Sequence, residues 1–177
     1  DRRGLAFGHV QSGKTTHYTA LAAKALDAGY QVIIVLAGIH NSLRSQTHER
    51  LDYQLLGRDS AWFIEAAKRG TVNVGPRLVG VGQRDYDLGR PAVPSIITLT
   101  SSADNGDFRS AVARQIGMEL GSGNRLVLVV KKNVTILSNL LQWLDSLHPL
   151  TMSDRGHHAP ALVIDDEADH ASLDTGN

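Results

Sequence analysis

The chain of 177 residues balances 18 Lys and Arg against 18 Asp and Glu, is 42% hydrophobic and has no cysteine. That length suits one domain with a sizeable core. The missing thiol excludes disulfides and thiolate metal sites, and no run of about 18 apolar residues is present to cross a membrane. Neutrality is the sum of two opposed regions: residues 1–160 hold all 18 basic residues and 13 acids, whereas residues 161–177 hold five acids and no Lys or Arg. Zero net charge therefore leaves a nucleic-acid partner open.

The opening Asp1-Arg2-Arg3-Gly4 does not read as a secretory signal, because it runs straight into a short apolar segment and then glycine. Both ends are abrupt, and the expectation is one lobe, residues 1–177, cut from a longer protein. In chain order, Leu5-Ala6-Phe7 is the first strand candidate, followed by an Ala/Leu-rich helix over 15–28 that stops at Gly29. Val32 to Leu36 is the second strand, and a helix over 41–56 places Leu43, Thr47, Leu51 and Leu55 on one side. Residues 70–94 hold Gly70, Gly75, Pro76, Gly80, Gly82, Gly89, Pro91 and Pro94, an irregular insertion with one short strand at Leu78-Val79.

Ser95 to Leu99 is the next strand, then a helix over 107–118 and the strand Leu126 to Val130. A helix over 134–147 carries Leu137, Leu140, Leu141 and Leu144 at helical spacing, and Ala161 to Ile164 is the last strand. Nearly continuous apolar strands alternating with amphipathic helices predict an α/β fold with an open, mostly parallel sheet and ligands at the carboxyl ends of its strands.

Gly8-His9-Val10-Gln11-Ser12-Gly13-Lys14-Thr15 matches GxxxxGK[ST], the Walker A or P-loop pattern, between a strand and a helix. Gly8 and Gly13 permit the backbone turns that aim successive N–H groups at phosphate, and the helix dipole adds to that field. Lys14 is placed to reach the β- and γ-phosphates, Thr15 to offer its hydroxyl to Mg²⁺, and Thr16 to donate near the α-phosphate. Ser12 completes the loop. His9 and Gln11 have three readings: phosphate contact, contact with a partner domain, or no ligand role.

Ala161 to Ile164 runs into Asp165-Asp166-Glu167-Ala168-Asp169, which puts carboxylates at the carboxyl end of a strand of the same sheet. One carboxylate holds Mg²⁺ and the next orients or deprotonates the attacking water in γ-phosphate hydrolysis. Asp166 is the metal candidate and Glu167 the catalytic base beside Lys14. The doubled Asp leaves the register open by one, with Asp165 as the alternative metal residue. Lys14 and Asp166 are 152 residues apart, long for a small GTPase. Lys131-Lys132-Asn133-Val134 lacks the Asp of a guanine-reading NKxD motif, and Glu119-Leu120-Gly121-Ser122-Gly123 matches an ABC-type signature only loosely.

Asp166-Glu167-Ala168-Asp169 spells the DEAD box and, with the P-loop, resembles the first RecA-like domain of superfamily-two helicases. A narrower likeness lies in four strings: Gly8 to Thr15, Val35 to Thr47, Val129-Val130-Lys131-Lys132-Asn133, and Ile164 to Asp169. Together they resemble the Z-one domain family, large bacterial helicase-like proteins described as candidate endonucleases. The resemblance implies a three-layer RecA-like P-loop NTPase domain, an ATP hydrolase using ATP and Mg²⁺, and a motor lobe acting on DNA in restriction or phage defence. It also implies a second RecA-like lobe and further domains elsewhere, a cytoplasmic bacterial location and no membrane. No complete nuclease array accompanies the acidic cluster, so DNA cleavage would reside outside these residues.

In that reading Asn41, Arg44, Gln46 and Arg50 follow the motif Ia strand and supply nucleic-acid phosphate contacts, with Ser42 and Thr47 as neutral donors and Lys131 and Lys132 as a second group. Thr98 to Ser102 either lines a DNA groove or caps the helix near Asp107. Asp169 couples the nucleotide site to later motifs. His157, His158 and His170 lack a regular ligand spacing, and Trp62, Phe63 and Trp143 are stacking candidates that also suit a core. A different class of function fits the same motifs: a nucleotide-gated switch, similar in layout to AAA+ or STAND modules, that assembles protein partners.

Overall fold

The computed structural model describes residues 3–4, 13–70, 96–116, 125–151 and 160–166. The strand candidates at Leu5 to Phe7 and Leu78-Val79, the insertion 70–94 beyond Gly70, and His157, His158, Glu167, Asp169 and His170 lie outside them.

Helix α1 (Lys14–Asp27) starts on Gly13, whose φ of 78° is left-handed backbone that glycine adopts without strain, and strand β1 (Val32–Ala37) follows. Helix α2 (Asn41–Leu51) passes into a π-helical turn (Asp52–Leu56) that ends at Gly57 with φ 67°. The expected single helix over 41–56 is therefore two segments. The wider turn lets Asp52 face Ser60, accepting from its backbone N at 3.1 Å and its Oγ at 2.7 Å.

Helix α3 (Ser60–Lys68) was not expected from the sequence, although its start signal is present: Asp59 caps it by accepting from the Trp62 N–H at 2.9 Å. Then come β2 (Ile96–Ile97), α4 (Ser110–Ile116), β3 (Arg125–Val130), α5 (Val134–Thr151) and β4 (Ala161–Asp166).

The four described strands form one sheet in the order β2-β3-β1-β4, with every pair parallel. Val32, Ile34, Leu126, Leu128 and Val130 pack against Phe108, Ala113, Leu140, Trp143 and Leu147 of the α4 and α5 layer. On the opposite face Ile33, Val35, Ala37, Val127 and Val129 pack against Ala22, Ala25 and Leu26 of α1 and Leu51, Leu55 and Leu56 of α2 and its π turn. Two cores back to back on one parallel sheet make a three-layer α/β/α domain, which is why β1 and β3 are apolar at successive positions.

Strand β4 departs from this. Leu162 and Ile164 face the α1 side, whereas Val163 is 56% exposed on the other face. The ladder between β2 and β3 is short because Thr98 and Thr100 replace backbone pairing with side chains: the Val129 N–H donates to Thr100 Oγ1 at 3.0 Å, and Thr98 Oγ1 donates to the Thr100 carbonyl at 2.8 Å. No described helix is long and apolar enough to cross a membrane.

Candidate functional site

Parallel strands direct their carboxyl ends to one edge of the sheet, and the register there decides what each acid meets. Asp165 pairs with Leu36 and Asp166 with Ala37. Alternation along the strand sends the two carboxylates to opposite faces. Asp166 shares the face of Ala37, Ile164 and α1, while Asp165 points to the other side and meets Lys132 at 2.6 Å.

Lys132 is only 7% exposed and Asp165 47% exposed, and the pair reaches across the end of β1 from β3 to β4. The Lys132 N–H also donates to the Gly38 carbonyl at 2.8 Å, so the loop after β3 is held against the loop after β1. The ambiguity between Asp165 and Asp166 thus has a structural asymmetry: one carboxylate is paired with a lysine, and the other stands beside the P-loop helix.

The beginning of α1 supplies the facing groups. Lys14 and Thr16 are exposed and Thr15 is half-buried. Thr15 Oγ1 accepts from Arg50 Nη1 of α2 at 3.1 Å, and its carbonyl accepts from Thr19 Oγ1 at 2.7 Å. Tyr18, one turn further on, has a hydroxyl shielded from solvent with no hydrogen-bond partner. Burial pushes its phenol up to about 12. The Asp166 carboxylate adds to that shift, and the nearby Thr15 and Thr47 hydroxyls oppose it. Three elements therefore converge: α1 with Thr15 and Tyr18, α2 with Thr47 and Arg50, and β4 with Asp166. Tyr18 was not singled out in the sequence, where it reads as an ordinary helical aromatic. Gly8, Gln11 and Ser12 lie outside the described residues.

The residues expected to contact nucleic acid separate into different roles. Asn41, Gln46, Arg50 and Lys131 are not buried, and Lys131 Nζ donates to Asn41 Oδ1 at 2.7 Å, which brings the two expected clusters together at the ends of β1 and β3. Arg44 is 0% exposed. Its Nη1 and Nη2 donate to the Ser101 and Ala103 carbonyls, and its Nε lies 3.8 Å from Asp107 Oδ2. Burial pushes the guanidinium below its usual range while Asp107 and Asp104 oppose the shift. Arg44 thus corrects the expectation: it is fully enclosed, with Nη1 and Nη2 on the chain's own carbonyls and Nε buried without a hydrogen bond, so no part of the guanidinium is displayed to a phosphate outside. Lys132 is likewise held by Asp165 rather than displayed.

Around Arg44 runs a buried polar network. His48 Nδ1 lies 3.1 Å from Asp52 Oδ1, and His48 Nε2 lies 2.9 Å from Thr100 Oγ1. Ser60 Oγ accepts from the Ser102 N–H at 3.1 Å, and Ser45 Oγ donates to the Ser102 carbonyl. Ser, His and Asp together suggest a hydrolytic triad, but Ser60 and Asp52 both meet the same nitrogen, Nδ1, and Ser60 is fully buried. That geometry cannot relay a proton from serine to an external substrate. Its role is structural: α2 and α3 clamp the loop after β2. Thr98, Thr100 and Ser101 are buried in that clamp and line no open groove.

Trp143 is also core, its ring 5.5 Å from that of Phe108, and Phe63 lies under the Arg58 guanidinium at 4.1 Å. Among the described residues no group of three His, Asp or Glu side chains is arranged to hold a metal. A divalent cation at this edge would draw on Thr15, Asp166 and oxygens from its own ligand, the pattern Mg²⁺ favours when it accompanies a phosphate. The orphaned Tyr18 hydroxyl beside both residues fits such a polar occupant. No family model, curated protein or solved structure matches the chain.

Proposed function

We propose that the chain is an ATP-binding and ATP-hydrolysing RecA-like lobe of a DNA-directed, helicase-like motor. The supporting observation is that Thr15, which follows Lys14 on a helix begun by left-handed Gly13, and Asp166, at the end of a parallel strand, both border Tyr18. A glycine-started helix after GxxxxGK[ST] is an anion site, and a carboxylate opposite it is where the cation accompanying a triphosphate would be held. Lys14 binds the terminal phosphates, Thr15 and Asp166 hold Mg²⁺, and Glu167 handles the attacking water. Mg²⁺ supplies charge neutralisation at the β- and γ-oxygens when bound. Arg50 donates to one lone pair of the Thr15 hydroxyl, and the other would serve a cation. The resemblance to the Z-one family motivates the DNA reading, and exposed Asn41 and Gln46 with half-buried Lys131 would supply its phosphate contacts.

The asymmetry of the acids makes the metal assignment testable. Asp166→Asn is expected to lower cation-dependent nucleotide hydrolysis by about 100-fold or more, whereas Asp165→Asn stays within about threefold and mainly lowers thermal stability by removing the Asp165–Lys132 ion pair. Reversal of the two effects would move the metal to Asp165. The decisive test of the function itself is the ATPase rate of the full-length protein with no DNA, with single-stranded DNA and with duplex DNA. Stimulation by DNA is expected. Turnover indifferent to both forms would favour the nucleotide-gated switch that assembles protein partners.

A further inference from the structure

Buried hydroxyls in folded proteins are nearly always hydrogen-bonded, because an unpaired one has given up its water without replacement. Tyr18 breaks that rule at a specific place, since its oxygen is shielded from solvent, unpartnered, and set among Thr15, Thr47 and Asp166. Each neighbour belongs to a different functional position. Thr15 follows the P-loop lysine, Asp166 ends β4, and Thr47 is buried on α2 one turn before exposed Arg50.

We propose that Tyr18 is a positioning residue for the Asp166 carboxylate: its hydroxyl donates to Asp166 when cation and nucleotide are bound, and it accepts from Thr47, linking α2 to the metal carboxylate through α1. The inference rests on the nucleotide-site reading above. The phenol is neutral, so it orients the carboxylate without adding charge. A carboxylate with one oxygen engaged by Tyr18 keeps the other for the cation, and an engaged rotamer loses less freedom on binding. Groups that orient a metal ligand in this way typically change metal affinity by about 10–100-fold when removed. Ordinary core packing of the ring predicts no such effect, because phenylalanine fills the same space.

The test uses Tyr18→Phe in the full-length protein, with Mn²⁺ and ADP as the probes. Mn²⁺ affinity in the presence of ADP is read from the loss of the free-ion EPR signal, and ADP affinity in EDTA is measured separately. Mn²⁺ affinity should fall about tenfold with ADP affinity in EDTA unchanged within about twofold. Thr47→Val should lower Mn²⁺ affinity in the same direction by a smaller factor, and it carries the test if Tyr18→Phe does not fold. Unchanged Mn²⁺ affinity in the variant that folds, with wild-type binding intact, overturns the role of Tyr18 alone. Wild-type protein that binds no ADP, or a Lys14→Ala variant that binds ADP as well as wild type, overturns the nucleotide site and this inference with it.

Discussion

Arg44→Ala should destabilise the domain by about 3–5 kcal/mol, the usual cost of removing one partner from a buried charged contact. The substitution acts at several points together. The Ser101 and Ala103 carbonyls lose charge-assisted donors, and Asp107 loses the nearest guanidinium while its carboxyl is already pushed up by burial. Asp107 in turn accepts from the Phe108 N–H at 2.8 Å, so the disturbance reaches the approach to α4. The loop has little freedom to compensate, because Gly106 admits no side chain: a Cβ there would lie 2.5 Å from the Ser101 carbonyl oxygen and 2.8 Å from that of Ala103. A loss of this size is a large share of the about 5–15 kcal/mol that holds a typical domain together. Urea unfolding measures it directly. A change below about 1 kcal/mol, the scale of an exposed ion pair, would mean that the clamp does not depend on the guanidinium.

The second large effect is on binding. Lys14→Ala should weaken ATP binding by about 100-fold or more, because the ammonium supplies two or so charge-assisted hydrogen bonds to phosphate at about 1.5–3 kcal/mol each. The variant should fold normally, since Lys14 is exposed at the first position of α1 and no hydrogen bond or ion pair of its side chain is lost among the described residues. Titration calorimetry with Mg²⁺ and a non-hydrolysable ATP analogue reads the affinity, and a value equal to wild type would remove the P-loop assignment. Glu167→Gln is the complementary change: analogue binding persists while hydrolysis collapses. Because Arg44 affects folding and Lys14 affects binding, the two substitutions separate the integrity of the platform from the chemistry of the site.

Much of the architecture was legible in local pattern. The runs at Val32 to Leu36, Leu126 to Val130 and Ala161 to Ile164 are strands within a residue or two of expectation, and Leu137, Leu140 and Leu144 pack on the core as their spacing predicts, whereas Leu141 is 61% exposed and Trp143 takes a core position instead. The errors fall where a side chain replaces backbone or where polar groups take core positions. Ser95 to Leu99 reads as a five-residue strand, yet among the described residues the ladder ends at Ile97, because the Thr98 and Thr100 hydroxyls compete for the same backbone groups. Helix α3 was hidden because Asp59 and Ser60 look like loop residues until the first serves as a cap and the second joins the His48 network. On α2, Thr47 and Leu51 are buried as their spacing predicts, but Arg44 and His48 are enclosed beside them, polar side chains that an apolar-periodicity reading leaves outside.

Strand and helix alternation, the glycine-lysine-threonine turn that starts α1 and the two adjacent acids that close β4 are all written in local residue order. These are local properties: strand and helix periods, glycine's conformational range and nearest-neighbour order act within a few residues. Packing assigns Asp165 to Lys132 and Asp166 to Tyr18, turns Arg44 onto the chain's own carbonyls and brings Lys131 to Asn41, none of which local order reveals. A charged side chain carries no mark of its partner. The parallel register that brings positions 132 and 165, or 18 and 166, to one edge arises from burying two apolar faces at once, and that burial then selects which polar groups must pair.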